Sequence, residues 1–156
     1  MKVVLDTSSI IYLSDFSKFD EIITVQDVVD EAKDKKTAIK ISGLKLKIVE
    51  PSEKSIEKIK LIAKQTGDLE KLSQTDIQVL ATALENESMI ISDDRNIQNV
   101  AEKIGIEYAS LFNEKITKLI TWRKFCSNCK KYFEGKVCPV CGTELRRVPK
   151  KSISVK

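Results

Sequence analysis

No histidine occurs among the 156 residues. That absence removes Ser-His-Asp and Cys-His relays, two-histidine metalloprotease helices, and histidine-ligated zinc or haem. Proton transfer near neutral pH is left to carboxylate, lysine, cysteine, tyrosine or metal-activated water, and any metal must be held by oxygen or sulfur. Long apolar runs are missing too. The longest has four residues, 10–13, so no segment is expected to span a membrane, and the early acid Asp6 is at odds with a secretory leader. There is no internal repeat and no low-complexity segment. A cytoplasmic protein is expected, in which the four cysteines are unlikely partners for disulfides.

What is present suits one domain plus an appendage. Apolar residues make up 42% of the chain, enough for a sizeable core. Charge is divided unevenly. Residues 1–121 carry 17 basic and 21 acidic side chains (net −4), and residues 122–156 carry 10 basic and 2 acidic (net +8), which together give the overall +4. An acidic body with a basic, cysteine-containing end points to a polyanionic partner.

Apolar runs at 2–5, 22–25, 47–50, 89–91 and 106–108 predict short strands. Segments with helical spacing lie between them: 7–13, a stretch through Glu31 for which Asp27 is the expected cap, 52–65, 73–87 and 96–104. Ser73 and Asp76 have the spacing of a capping box, and Gly105 is a helix stop. Strand and helix alternate, so a parallel sheet flanked by helices is expected. Composition changes near Trp122. The expected division is a body over 1–119, a cysteine module over 120–148 and a basic tail over 149–156.

Cys126-x-x-Cys129 and Cys138-x-x-Cys141 form two pairs with eight residues between them. Two such turns close a four-sulfur site around one ion. Zinc is the first choice and iron the second. Disulfides or free thiols are the plainer alternatives. A closed four-thiolate site is structural rather than catalytic. Arg123, Lys124, Lys130, Lys131, Lys136, Arg146, Arg147, Lys150 and Lys151 surround it and are candidate phosphate contacts, with solubility as the plain alternative. Tyr132, Phe133 and Phe125 read as a small core around the ion, with base stacking as the second reading.

Asp6, Asp93 and Asp94 each follow a predicted strand, at the sheet edge where open α/β folds bind ligands. Glu31 and Asp76 lie on helices able to point to the same edge. Converging carboxylates repel one another, and a divalent cation held by oxygen alone, Mg²⁺ or Mn²⁺, relieves that. Such ions assist hydrolysis at phosphorus. Taken singly, each acid has another explanation: Asp6 and Asp94 as helix caps, Asp76 as half of a capping box, Glu31 as a solvated side chain.

The stretches Val3-Val4-Leu5-Asp6-Thr7-Ser8, Val28-Val29-Asp30-Glu31, Leu72 to Ala81 and Ile91 to Ala101 resemble, in order, the acidic motifs of PIN-domain ribonucleases. With the cysteine module behind them, the chain resembles the Nob-type endonucleases of archaea and eukaryotes, which mature the 3′ end of small-subunit ribosomal RNA. The resemblance implies a three-layer α/β/α domain with a central parallel sheet and a C-terminal zinc ribbon. It implies Asp6, Glu31, Asp76 and Asp94 as ligands of Mg²⁺ or Mn²⁺, Asp93 as an auxiliary candidate, and Thr7 and Ser92 as supporting hydroxyls. The implied reaction is endonucleolytic hydrolysis of single-stranded precursor rRNA on the pre-ribosome, leaving a 5′-phosphate and a 3′-hydroxyl. The lysine-rich segment 33–47 reads as an RNA-facing insertion or as a solvated amphipathic helix. Two other functions compete: a non-catalytic RNA- or ribosome-binding module, and a toxin-type PIN ribonuclease.

Overall fold

A computed structural model describes residues 1–155. The body contains β1 (Lys2–Leu5), α1 (Thr7–Tyr12), β2 (Glu21–Thr24), α2 (Gln26–Glu31), α3 (Lys35–Ser42), β3 (Leu46–Ile48), α4 (Glu53–Thr66), α5 (Gln74–Asn86), β4 (Met89–Ile91), α6 (Arg95–Ile104) and β5 (Tyr108–Ala109). The five strands form one sheet in the order β3-β2-β1-β4-β5, every neighbouring pair being parallel. Their apolar residues explain this placement: Val3, Val4, Leu5, Ile23 and Ile90 are fully buried, as strands covered on both faces must be.

The strand order fixes the layers. The chain steps from β1 to β2 to β3 in one direction, then crosses to β4 and β5 in the other. Right-handed crossovers therefore put α1, α2 and α3 on one face and α4, α5 and α6 on the opposite face. The packing agrees: α1 meets α2 and α3, while α4 meets α5 and α6. The direction in which the chain adds strands reverses between β1 and β4, and these two parallel strands lead into Asp6 and Asp94 past their carboxyl ends. No helix among the described residues is long and apolar enough to cross a membrane.

Local signals account for most element ends. Ser52 caps α4, and Gly67 ends it in the left-handed region. Ser73 and Asp76 form both halves of a capping box on α5. The expected cap at Asp27 does not form. α2 starts after Val25 with no side-chain cap, because the Asp27 carboxylate accepts instead from Gln78 Nε2 at 2.9 Å. The last strand is Tyr108–Ala109, later than the expected 106–108, because the Gly105 turn occupies the preceding residues.

The second sheet is antiparallel: β7 (Lys131–Tyr132), β6 (Lys118–Cys126) and β8 (Arg146–Ser154), in that order. No linker separates the body from the cysteine module, because β6 runs unbroken through the expected boundary. The segment expected as a tail from Pro149 is the outer half of β8, while Lys156 of that tail lies outside the described residues. Trp122 pairs with Pro149 and Thr121 with Lys151, so Lys150 is the extra residue of a bulge. Proline cannot donate to the ladder, and a bulge absorbs that defect without ending the strand.

Body and ribbon are fastened by a buried carboxylate. Asp68, fully buried, pairs with the Arg147 guanidinium and accepts from Asn99 Nδ2 at 2.6 Å. Asn99 also grips β6, donating to the Ile120 carbonyl and accepting from its N–H at 2.8 Å. Its neighbour Gln98 accepts from the Ile116 N–H at 3.1 Å. Arg147 lies 4.2 Å over the Trp122 ring. Gly67 sits under that tryptophan, where an added Cβ would come 2.7 Å from the Trp122 carbonyl oxygen at a φ of +77°. We expect Asp68→Asn, which strips the half-buried Arg147 guanidinium of its counter-ion, to destabilise the protein by about 3 kcal/mol in chemical denaturation. Gly67→Ala should also destabilise and should shift the Trp122 fluorescence, since both the clash and the left-handed backbone oppose it.

Candidate nuclease and metal sites

Three acids stand at helix starts. Asp6 caps α1: its Oδ1 accepts from the Ser9 N–H at 2.7 Å and the Ser8 hydroxyl at 2.9 Å. Asp94 caps α6, accepting from the Asn96 N–H at 2.6 Å and from Asn96 Nδ2 at 3.0 Å. Asp76 Oδ2 accepts from the Ser73 N–H at 2.7 Å at the start of α5. A helix N-terminus favours negative charge, so the fold supplies each carboxylate with compensation from the backbone. Each cap engages one oxygen and leaves the other as a ligand atom. The reading as caps therefore does not compete with a reading as ligands.

The arrangement draws these ends together. Leu5 and Ile91 are register partners across β1 and β4, so Asp6 and Ser92 end adjacent strands. The buried Ser9 hydroxyl donates to the Ile91 carbonyl and ties α1 to β4. Glu31 ends α2 and is held from two sides, by the Thr7 hydroxyl at 2.5 Å and the Thr75 hydroxyl at 2.6 Å. Its carboxylate thereby bridges the starts of α1 and α5. Burial pushes the Asp76 carboxyl above its ordinary value; the Ser73 amide and hydroxyl oppose this, and the negative charges of Asp94 and Asp6 add to the rise. Asp76 thus feels both other acids. Asp6 is buried, Asp76 and Asp94 are half-buried, and Glu31 is exposed, so the cleft deepens from Glu31 towards Asp6.

The structure separates Asp93 from Asp94. Asp93 turns away to the chain after β5, where its Oδ1 accepts from the N–H groups of Leu111, Phe112 and Asn113 at 3.1, 3.2 and 3.1 Å. Burial opposes its charge, but those three amides and the Ser110 hydroxyl outweigh burial and lower its carboxyl pKa. That carboxylate organises a loop and is not part of the converging set. Ser92 Oγ accepts from the Asp94 N–H at 3.1 Å. Two contributors escaped sequence reasoning. Thr75 is a hydroxyl one residue before Asp76, and Asn96 a side-chain amide two residues after Asp94. Their proximity to the acids is the only local sign.

The donor chemistry fits a hard divalent ion: four carboxylates, no nitrogen, no sulfur, and mutual repulsion that such an ion removes. Among the described residues, only the four cysteines form a set of three or more ligating side chains all within 4.8 Å of one another. The acids are spaced more widely, as suits an ion that keeps part of its water shell.

The cysteine cluster fits zinc closely. Cys126 and Cys141 sulfurs lie 3.5 Å apart and those of Cys129 and Cys138 3.8 Å apart, against about 3.8 Å expected for the edge of a tetrahedron with Zn–S bonds of ~2.3 Å. The two knuckles match. The Lys130 N–H donates to the Cys126 carbonyl at 2.9 Å and the Gly142 N–H to that of Cys138 at 3.0 Å. Both residues have positive φ, 57° and 74°, so Gly142 is placed where a side chain would be strained. Leu145 and Phe133 complete a minute core.

The basic residues do not form one set. Arg147 is spent on Asp68. Lys124 pairs with Glu70 at 2.6 Å, and Arg123 stacks 3.6 Å over Tyr132. Arg147 is the clearest departure from an expected phosphate contact, because a buried carboxylate 79 positions away claims it. Lys130, Lys131, Lys136, Arg146, Lys150 and Lys151 are exposed.

A parallel sheet with acids at its switch point, extended by a four-cysteine ribbon, defines the class. Residues 3–85 match the PIN domain of ribonuclease, and the chain belongs to the family of PIN-domain ribonucleases. It is 39% identical over 152 residues to Endoribonuclease Nob1 of Archaeoglobus fulgidus, covering 93% of this chain and 90% of that protein. It is 36% identical over 162 residues to Endoribonuclease Nob1 of Pyrococcus abyssi, covering 99% and 98%. Ribonuclease VapC1 of Thermoplasma acidophilum is 36% identical over 151 residues, covering 94% and 78%.

Zinc chelation should melt the knuckles while sparing the body, because the outer β6–β8 pairs are anchored through Asn99 and the knuckle core is too small to fold alone. Amide exchange checks this: protection at Lys130 and at Gly142 should vanish, while that of α6 should persist.

Proposed function

We propose that this protein is a divalent-metal-dependent endoribonuclease that cuts single-stranded precursor rRNA at the 3′ end of the small-subunit RNA in the cytoplasm. The observation that carries the reading is the convergence of Asp6, Glu31, Asp76 and Asp94 at the β1/β4 switch point, in a chain similar along nearly its whole length to proteins named Endoribonuclease Nob1. The four acids would hold Mg²⁺ or Mn²⁺. When bound, such ions activate water and neutralise charge developing on the phosphodiester. The chain's own groups do the rest. Helix amides fix one oxygen of Asp6, Asp76 and Asp94. Thr7 and Thr75 fix Glu31. Asn96 holds Asp94 from the side. Zinc would be the ribbon's ion, and the ribbon's exposed cations would hold the substrate phosphates.

The similarity to Ribonuclease VapC1 favours one second reading, a toxin-type ribonuclease acting on tRNA or mRNA. Mapped cleavage ends distinguish the two: cuts at the mature small-subunit 3′ end support the first reading, and cuts in tRNA or mRNA with arrested growth support the second. With Mn²⁺ and an RNA spanning the rRNA junction, Asp6→Asn and Asp94→Asn should each lower kcat by about 10²-fold or more, equivalent to ~3 kcal/mol of transition-state stabilisation. Asp93→Asn should leave kcat within a few-fold of wild type. Asn96→Ala should weaken divalent-ion affinity in calorimetry by about 10–100-fold, the usual effect of losing a group that orients a ligand.

A further inference from the structure

Two large aromatic side chains stand in solvent, one on the helix that Asp6 caps and one on the loop that Asp93 holds. Tyr12 is 62% exposed and Phe112 70%. They touch edge to face, with ring centroids 5.6 Å apart and planes at 77°, so one ring keeps an open face. Neither residue hangs on a loose tip. The Phe112 N–H is one of the three amides on Asp93, one residue from Asp94. Tyr12 ends α1, whose start is capped by Asp6 and whose Ser9 is tied to β4. Tyr12 therefore shares its helix with Asp6, and Phe112 sits on the loop held by Asp93, the sequence neighbour of Asp94. A cation adjoins the pair: Lys40 Nζ donates to the Ile11 carbonyl at 3.0 Å, in the peptide that leads into Tyr12. Lys33, Lys35 and Lys36, nearby in sequence, are exposed.

We propose that Tyr12 and Phe112 form a stacking platform for an unpaired nucleobase next to the scissile phosphate, with Lys40 and its neighbouring lysines on the adjoining phosphates. Rigidly held aromatic faces with cations beside them are what single-stranded nucleic acid requires, because every base has a π-face and every linkage a charge. The lysines beside the pair favour RNA over a protein partner, since they match the charge carried by each phosphate linkage. Asp93 becomes a positioning residue: by gathering three consecutive amides it sets the loop that presents Phe112.

The proposal rests on the ribonuclease reading, and the test separates the two. A single-stranded RNA carrying 2-aminopurine beside the cleavage site is titrated into Asp6→Asn protein with Mn²⁺, alone and with Tyr12→Ala/Phe112→Ala added. Stacking predicts strong quenching in the first and its loss in the second, with affinity weaker by about tenfold. In the cleaving background the double substitution should raise KM by a similar factor and leave kcat within about twofold. Phe112→Trp should restore binding and Phe112→Leu should not, a pattern that a merely structural role does not produce. Unchanged quenching and affinity in the double variant overturn the platform, as does a concentration-dependent dimer abolished by it while RNA affinity stays the same. Wild type that binds but never cuts with Mn²⁺ or Mg²⁺ overturns the nuclease reading instead.

Discussion

The buried carboxylate of Asp68 constrains everything that joins the two halves of this molecule. An ion inside protein is tolerated only with a full set of partners, and each partner of Asp68 comes from a different element. Arg147 is brought by β8 and Asn99 by α6, while Asp68 itself follows the Gly67 turn that ends α4. Satisfying one charge thus specifies where the ribbon strands lie against the helical layer. The same guanidinium donates to Asn96 Oδ1 at 3.2 Å, and Asn96 donates to Asp94. An unbroken chain of hydrogen bonds leads from the ribbon strand to a carboxylate of the cleft.

The cleft faces a second electrostatic problem, four acids in one place. The fold answers it with helix starts. Three of the four acids accept from backbone amides at helix N-termini, and the fourth accepts from two hydroxyls. These are fixed dipoles, in place before any ion arrives, and they lower the cost of holding the carboxylates together. They also restrict geometry, because a capped aspartate has one oxygen committed and one free. Burial still raises Asp76, and its acidic neighbours raise it further. The compensation is partial, which keeps the cleft receptive to a cation.

Much of this was readable from the sequence for a simple reason: caps, strand ends and CxxC turns are local. Asp6, Asp76 and Asp94 lie where a strand gives way to a helix, and Ser73 with Asp76 announces its own capping box. Helix α5 follows from the spacing of Ile77, Leu80, Ala81 and Leu84. The misjudged features depend on distant partners. Asp27 looked like a cap until Gln78, 51 positions on, claimed it. Arg147 looked like a phosphate contact because nothing near it in sequence hints at Asp68. Pro149 looked like the start of a tail because proline ends strands, unless a bulge at Lys150 takes up the missing donor. Position alone does not separate Asp93 from Asp94; the resemblance favours Asp94, and the return of the chain after β5 gives Asp93 its own partners.

The charge division seen in the sequence takes on a physical shape once internal pairs are removed. Arg147 with Asp68 and Lys124 with Glu70 tie the basic half to the acidic half and contribute nothing to a partner. What remains outward on the ribbon is Lys130, Lys131, Lys136, Arg146, Lys150 and Lys151, all exposed, and what remains at the β1/β4 edge is a set of acids. A polyanion is attracted by the first and repelled by the second. Phosphate can therefore approach the acids only with positive charge beside it: divalent ions in the cleft and lysines at its margin, where Lys40 and its neighbours lie. Without imidazole, the chain keeps binding and chemistry apart by charge type. Exposed ammonium and guanidinium groups suit phosphate capture, and oxygen ligands suit hard ions. The four sulfurs serve neither directly; with a metal bound they would hold together a segment too small to fold by itself.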